Sequence, residues 1–251
     1  MPPSRGLLLL EVRAFAELAA FLSTIPLLRL IPAGDGHPVL VLPGLAASDR
    51  STRPLRAFLR DRGYRVHGWK LGRNLGPRPG VEDAMQARLA GLHERYGRKV
   101  SLVGWSLGGV YARELARRAP SQVRSVITMG SPFAGAPRAS HAWRLYEFVS
   151  GRSADDWPGR ERMKQPPPVP STAIFSRSDG IVAWQGCLER EAGSTENVEV
   201  HGSHNGLGHN PAVLYVVADR LAQPEGRWQR FDRRGLWRFV YPEPAAMAME
   251  A

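Results

Sequence analysis

The chain has 251 residues, enough for one α/β domain with a small insertion, and 43% of them are hydrophobic, so it can bury a sizeable core. Its single cysteine, Cys187, excludes an intrachain disulfide and favours a reducing, cytoplasmic location. The net charge of +11 attracts anionic surfaces, but no nucleic-acid-binding motif accompanies it, so we expect no nucleic-acid partner.

The N-terminal stretch 7–31 is strongly apolar but does not resemble a membrane span or a signal peptide. Glu11, Arg13 and Glu17 interrupt it, and its longest uncharged run is too short to cross a bilayer. A signal peptide needs an unbroken apolar run and a small-residue cleavage site. We predict an amphipathic helix, broken near Pro26, that either packs on the core or lies peripherally on a membrane.

Short apolar runs alternate with helix-like stretches along the rest of the chain, which is typical of an α/β fold. The predicted strands are 39–42, 64–69, 100–104, 123–128, 171–176 and 197–200, and the predicted helices are 52–62, 81–96, 107–118 and 211–222. This alternation predicts a mostly parallel sheet with helices on both faces. Ligands of such sheets bind at the carboxyl ends of the strands.

One serine follows a predicted strand in a G-x-S-x-G pattern. Residues 104–108 read Gly-Trp-Ser-Leu-Gly, so Ser106 is expected on a sharp turn between strand and helix. Glycines two residues before and after the serine remove the side chains that would collide in that turn. The turn exposes the serine hydroxyl and places the N–H of Leu107 at a helix N-terminus, where it can bind a developing oxyanion.

A second oxyanion donor is expected after the first strand. Gly44 lets the backbone turn toward the serine, and the N–H of Leu45 would then pair with that of Leu107.

The acid and the base of a triad should follow the serine in that order. Asp179 comes directly after the strand 171–176 and precedes a glycine, where an acid can orient a histidine across the top of the sheet. A glycine-rich loop after the last strand contains His201, His204 and His209. We expect His204 to be the base because it lies in mid-loop, with His209 and then His201 as alternatives.

A metal site is the competing interpretation of the three histidines. It would need cysteine or further carboxylate ligands at fixed spacing, and the one cysteine lies elsewhere, so we expect no metal.

Residues 132–170 form an insertion between two predicted strands and carry several aromatic side chains. As a cap over Ser106 it would supply an apolar substrate-binding wall from Trp143, Tyr146 and Phe148. The alternative is that these aromatics form the small core of the insertion itself.

The C-terminal tail interleaves aromatic residues with arginines. It is predicted to form a β-hairpin that turns at residues 232–235, either laid against the core or contacting a membrane interface. The expected organisation is therefore an N-terminal helical segment 1–36, a core of 37–131 and 171–222, a cap 132–170 and a tail 223–251.

Five segments, spread over residues 37–222, together resemble the bacterial lipase/esterase branch of the α/β-hydrolases. They are Leu42-Pro43-Gly44-Leu45, Gly104-Trp105-Ser106-Leu107-Gly108-Gly109, Thr128-Met129-Gly130-Ser131-Pro132, Ser178-Asp179-Gly180-Ile181-Val182 and Ser203-His204-Asn205-Gly206-Leu207. The resemblance implies the hydrolase fold, an acyl-enzyme on the serine, carboxylic ester substrates and no cofactor. A His followed shortly by Gly-Leu also resembles the histidine loop of the family, which favours His204.

Two positions depart from the pattern of that family. The oxyanion motif begins Pro43-Gly44 instead of the commoner His-Gly, which leaves the backbone donor intact. Trp105 stands where the family often has histidine, so we expect its ring to narrow the substrate pocket beside the serine.

The sequence thus predicts a serine hydrolase acting on small-molecule or lipid esters through Ser106, Asp179 and His204. Two alternatives remain. One is an acyltransferase with the same triad, and the other is a non-catalytic protein that binds lipid or a membrane surface on a hydrolase scaffold.

Overall fold

A computed structural model of the protein describes residues 1–31, 33–136, 138–156, 160–190 and 192–243. Its strands are β1 (Pro38–Leu42), β2 (Arg65–Gly68), β3 (Val100–Trp105), β4 (Val123–Met129), β5 (Ser171–Phe175) and β6 (Thr195–Glu199). They form one sheet in the order β2-β1-β3-β4-β5-β6, and each neighbouring pair is parallel. The predicted parallel α/β sheet is therefore confirmed.

Helices cover both faces of the sheet. They are α1 (Arg5–Leu9), α2 (Ala14–Leu28), α3 (Arg53–Asp61), α4 (Val81–Tyr96), α5 (Leu107–Arg118), α6 (Trp143–Ser150), α7 (Arg160–Met163) and α8 (Pro211–Ala222). Side chains alternate along a strand, so β1 sends Val39 and Val41 to the core under α2, α3 and α8. Leu40 and Leu42 enter the opposite core, under α4 and α5.

The N-terminal segment is helical almost throughout. A 3₁₀ turn, Leu10–Arg13, joins α1 to α2, and α2 packs against α8 with Phe21 and Leu28 buried. The expected break near Pro26 is wrong, because the helix continues through this residue to Leu28. Proline removes one hydrogen bond from the last turn of α2, because its nitrogen has no hydrogen to donate.

The predicted C-terminal hairpin is also wrong. The described part of the tail, up to residue 243, has a 3₁₀ helix at Gly235–Phe239 and no strand. Tyr241 is buried against α8, and its hydroxyl donates to the carbonyl of Ala212 at 3.0 Å. Residues 244–251 of the predicted tail lie outside the described residues. Aromatic packing on Tyr215 of α8 and hydrogen bonds to β6 hold this segment, and the described part of the tail pairs with no strand.

Candidate active site

The turn after β3 holds Ser106 in a strained conformation. Its φ of 53° and ψ of −123° are rare for a residue with a side chain. The flanking glycines are required by close backbone contacts. A Cβ on Gly104 would lie 2.3 Å from the Cα of Gly109, and one on Gly108 would lie 2.3 Å from the carbonyl oxygen of Leu42. Strain of this kind persists where the surroundings enforce it, which is common at functional sites.

An aspartate and a histidine are joined at the same edge of the sheet. Asp179 lies in the loop after β5, and its Oδ1 accepts hydrogen bonds from the N–H groups of Ile181 and Val182 at 2.8 and 2.7 Å. Its Oδ2 accepts from Nδ1 of His204 at 2.6 Å. Both side chains are buried. The carboxylate thereby fixes the orientation of the imidazole and leaves Nε2 to face other groups.

The environment of His204 favours its protonated form. Burial alone would lower the pKa of the imidazole, but the charge of Asp179 and the hydrogen bond to it outweigh burial, and the charge of Glu11 adds to them. The pKa of His204 is therefore raised above its ordinary value.

The serine turn and the Asp–His pair approach each other at Gly130. The N–H of Ser106 donates to the carbonyl of Met129 at 2.8 Å, so the turn adjoins the end of β4. A Cβ on Gly130, which has a φ of 56°, would lie 3.1 Å from Nδ1 of His204 and 3.2 Å from Oδ2 of Asp179. The structure thus brings Ser106, Asp179 and His204 to one region.

The other two histidines of the loop have different surroundings. His209 lies close to the start of α8, and its Nε2 donates to the carbonyl of Ala14 at 2.9 Å. His201 is exposed. Of the three, His204 is the one that contacts Asp179.

The two backbone amides expected to bind an oxyanion belong to residues beside the serine. Leu45 and Leu107 line one cavity together with Ser106. The loop of Leu45 approaches closely, since a Cβ on Gly44 would lie 3.2 Å from Cβ of Ser106.

That cavity has a volume of about 110 Å³ and a mainly apolar wall. It is lined by Leu45, Ser106, Leu107, Val110, Pro132, Phe133, Gly135, Ser140, Ala142, Trp143, Tyr146, Ala154, Met163 and Val182. Trp143 and Tyr146, two of the predicted substrate contacts, both line this cavity. They lie three positions apart on α6 and so share one helix face.

Two predicted substrate contacts lie elsewhere. Phe148 is 85% exposed, because two positions beyond Tyr146 a helix turns its side chain to the far face. Trp105 is buried in the core, packs against Gly208 and donates from Nε1 to the carbonyl of His204 at 3.1 Å. It supports the histidine loop and does not line the cavity.

The N-terminal segment supplies contacts that sequence reasoning missed. Glu11 accepts hydrogen bonds from the N–H groups of Gly180, His204 and Asn205, and Glu17 accepts from that of Ser203. The sequence does contain a signal for these contacts. Acidic residues that interrupt an apolar helix need hydrogen-bond partners if they are buried against the core.

Among the described residues, no group of three His, Cys, Asp or Glu side chains is placed to hold a metal ion. In the same part of the chain, no helix is both long and apolar enough to span a bilayer. The cytoplasmic location stays a prediction.

A parallel sheet with a strained serine turn after β3, and an acid and a histidine following β5 and β6, defines the α/β-hydrolase class of proteins. The chain belongs to the alpha/beta hydrolase family, whose model matches residues 39–248. Against curated proteins it is 28% identical over 116 residues to a pimeloyl-[acyl-carrier protein] methyl ester esterase of Shewanella woodyi. That match covers 46% of this chain and 44% of the relative, less than half of either.

Several solved structures share this fold at low sequence identity. Lipase B of Aspergillus fumigatus is 16% identical with a TM-score of 0.62, over 75% of this chain and 53% of that one. A mature Bacillus licheniformis lipase is 17% identical with a TM-score of 0.56, and the match covers 76% of this chain and 94% of the lipase. A Paleococcus ferrophilus monoacylglycerol lipase is 16% identical with a TM-score of 0.54, and the match covers 74% of this chain and 96% of the lipase. Likeness at this identity establishes the fold only.

Proposed function

We propose that this α/β-hydrolase is a serine esterase that cleaves carboxylic ester bonds through a triad of Ser106, Asp179 and His204. The observation that carries the proposal is the buried hydrogen bond between Asp179 and His204, located next to the strained turn that holds Ser106. An acid, an imidazole and a hydroxyl that lines a substrate cavity are the groups that nucleophilic ester cleavage needs.

The proposed reaction starts with attack of Ser106 Oγ on the ester carbonyl. Nε2 of His204 accepts the serine proton, because Nδ1 is already bonded to Asp179, and then gives it to the leaving alcohol. The carboxylate of Asp179 holds the tautomer and stabilises the imidazolium. Water then hydrolyses the acyl-enzyme by the reverse sequence of proton transfers.

The developing oxyanion would be bound by the N–H groups of Leu45 and Leu107. Loss of one such donor typically lowers the rate by about 10²–10³-fold. The apolar wall around Trp143, Tyr146 and Phe133 suits the hydrocarbon part of the acyl group, since it offers few hydrogen-bond partners.

The names of the similar proteins support the same class of substrate. The Shewanella relative is a methyl ester esterase, and the three solved structures are lipases.

The test combines fluorophosphonate labelling with hydrolysis of a chain-length series of nitrophenyl esters. Wild-type protein should label once and release free acid, whereas Ser106→Ala should fold normally and do neither. Ser121→Ala, which removes an exposed serine, is the matched control and should behave as wild type. Wild-type turnover by Ser106→Ala would exclude the assignment.

Product analysis with an added alcohol separates hydrolysis from acyl transfer. Free acid as the main product supports the esterase, and a new ester as the main product would replace the proposal by an acyltransferase with the same triad.

A further inference from the structure

The helical N-terminus turns its apolar side chains outward. Leu9, Phe15 and Leu22 are 75%, 79% and 59% exposed. Val12, Leu27 and Leu30 are exposed to a similar degree, and we call these six side chains the N-terminal surface. Large apolar side chains that are exposed in such number on one segment are typical of a surface that contacts a partner or a membrane.

The charged residues in the middle of the same segment, Glu11, Arg13 and Glu17, face the protein. Glu11 and Glu17 are the only acidic residues before residue 32, and both are largely buried in hydrogen bonds to the loops after β5 and β6. Arg13 also points inward and donates to the carbonyls of Ser178 and Gly202. The segment therefore keeps its central charges on the side of the protein, with Phe21 and Leu28, and leaves other apolar side chains on its outer side.

We infer that the N-terminal surface docks onto an anionic lipid bilayer. Exposed arginines lie at both ends of the segment, Arg5 at the start of α1 and Arg29 just after α2, and no acidic side chain is exposed between them. The chain carries a net charge of +11, so an anionic membrane attracts it while a second copy repels it. Phe and Leu side chains then enter the boundary between headgroups and acyl chains.

The test is cosedimentation with phosphatidylglycerol–phosphatidylcholine vesicles and with pure phosphatidylcholine vesicles. Wild type should bind the anionic vesicles, and Phe15→Ser/Leu22→Ser should bind them at least about tenfold more weakly, because each apolar side chain contributes that much or more. Leu236→Ser/Phe239→Ser is a matched control, since it removes one exposed Leu and one exposed Phe elsewhere on the protein.

Three outcomes overturn the inference. They are no binding by wild type, equal loss in both double variants, and a wild-type dimer in vesicle-free solution that Phe15→Ser/Leu22→Ser dissociates. The last would assign the surface to a second copy. The serine chemistry is tested separately by Ser106→Ala, so failure of either proposal leaves the other standing.

A different observation carries a second inference, which rests on the proposed triad. One carboxylate, that of Glu11, binds the backbones of both loops that hold the acid and the base. Its Oε1 accepts from the N–H groups of Gly180 and His204 at 2.8 and 2.9 Å, and its Oε2 accepts from that of Asn205 at 2.9 Å. Glu11 is only 8% exposed.

The fit between this segment and the loops is close. A Cβ on Gly180 would lie 2.2 Å from the carbonyl oxygen of Leu7, so only glycine permits the approach. Hydrogen bonds to a charged acceptor are stronger than neutral ones, and three of them fix the path of both loops. We propose that Glu11 is a positioning residue that sets the distance between Asp179 and His204.

Two charged groups face the imidazole of His204. They are Asp179, from the loop after β5, and Glu11, from the N-terminal segment. Glu11→Gln keeps the shape but turns one acceptor into a donor. We expect kcat to fall about tenfold or more with KM little changed, and the acid limb of the pH profile to move to lower pH. Glu225→Gln, an exposed change, is the control.

Hydrogen exchange over residues 201–210 makes the test independent of substrate. Exchange should be faster in Glu11→Gln than in the control, whether or not the esters tested are turned over. If kcat, acid limb and exchange all match the control while Ser106→Ala is inactive, the positioning role fails and the esterase assignment stands.

Discussion

Ser106 shows how a single residue depends on its neighbours. Its positive φ costs conformational energy, and the glycines at 104 and 108 keep backbone atoms at distances that no Cβ tolerates. The sequence pattern indicated this conformation because the Gly104 constraint is local, against Gly108 and Gly109, whereas the Gly108 constraint comes from the end of β1, at Leu42.

The first prediction concerns these glycines. Gly104→Ala should lower the free energy of unfolding by about 1–3 kcal/mol or more, because its Cβ would overlap backbone atoms of Gly108 and Gly109. Gly91→Ala is the matched change, in the middle of α4 with no atom within 4 Å of the new Cβ, and should raise it by about 0.5–1 kcal/mol. Urea unfolding measures both, and equal stabilities would contradict the steric explanation.

The second prediction concerns the acid behind the imidazole. The base must be neutral to accept the serine proton, and the pKa of His204 is raised, so kcat/KM should rise through an acid limb above the ordinary histidine value of about 6.5. Asp179→Asn removes the main groups that raise this pKa. It should lower kcat/KM by about 10³–10⁴-fold and move the limb to lower pH. Ester hydrolysis across the neutral range checks this.

Asp232→Asn, an exposed change in the tail, is the control for that experiment and should leave the profile unchanged. If the acid limb of the pH profile did not move in Asp179→Asn, Asp179 would not be the acid of the proposed triad.

Among the elements, helices and strands with strong periodic patterns match their predicted bounds closely. The helices over 81–96, 107–118 and 211–222 begin and end where the sequence predicted. Capping explains part of this, since Asn210 accepts from the first free N–H groups of α8 and Gly97 ends α4 in the left-handed conformation. The prediction of a hairpin in the C-terminal tail was wrong because alternating aromatic residues do not indicate which surface their rings will pack against.

One buried ion pair joins the core to the segment 132–170, which the sequence predicted to be a cap. Arg113 of α5 and Glu189, which follows β5, are both buried, and the guanidinium also donates to the carbonyls of Met163 and Gln165 next to α7. It lies 3.7 Å from the ring centroid of Phe133, which belongs to the cavity wall. The pair thus joins the core helix α5 to residues around α7 and to the cavity wall.

The third prediction follows from this pair. Arg113→Met should lower the free energy of unfolding by about 3–5 kcal/mol, because it leaves the Glu189 carboxylate buried without its partner. Arg113→Met/Glu189→Leu should recover most of that loss. Urea unfolding measures the stability of both variants. If Arg113→Met were as stable as wild type, this prediction would be wrong.

For the whole molecule, buried histidines link stability to pH. His37 is fully buried between Asp35 and Ser101, and its pKa is lowered to about 4, chiefly by burial, which the bond to Asp35 only partly offsets. The pKa of His67 is also lowered to about 4 by burial and nearby arginines. Between these values and the ordinary 6.5, the unfolded chain binds protons that the folded chain does not.

The fourth prediction is that stability falls as pH drops from 6.5 toward 4. For His37 alone the loss approaches about 3 kcal/mol, at about 1.4 kcal/mol per pH unit. His37→Asn should be less stable at neutral pH yet lose less on acidification, and the remaining drop belongs to His67. His93→Asn, a change at a partly exposed position on α4, is the control and should keep the wild-type drop. An undiminished drop in His37→Asn would contradict the assignment.

By itself, the sequence determined the alternation of strands and helices, the serine turn and the order in which acid and histidine follow, because each depends on neighbouring residues. Only the tertiary structure decided that His204 and not His209 contacts Asp179, that Phe148 faces outward and that Trp105 supports a loop. It also decided the role of Glu11, which binds residues more than 160 positions away. The spacing of residues along the sequence indicates which side chains share one face of a helix or strand. Contacts between different elements depend on how those elements pack in the folded protein.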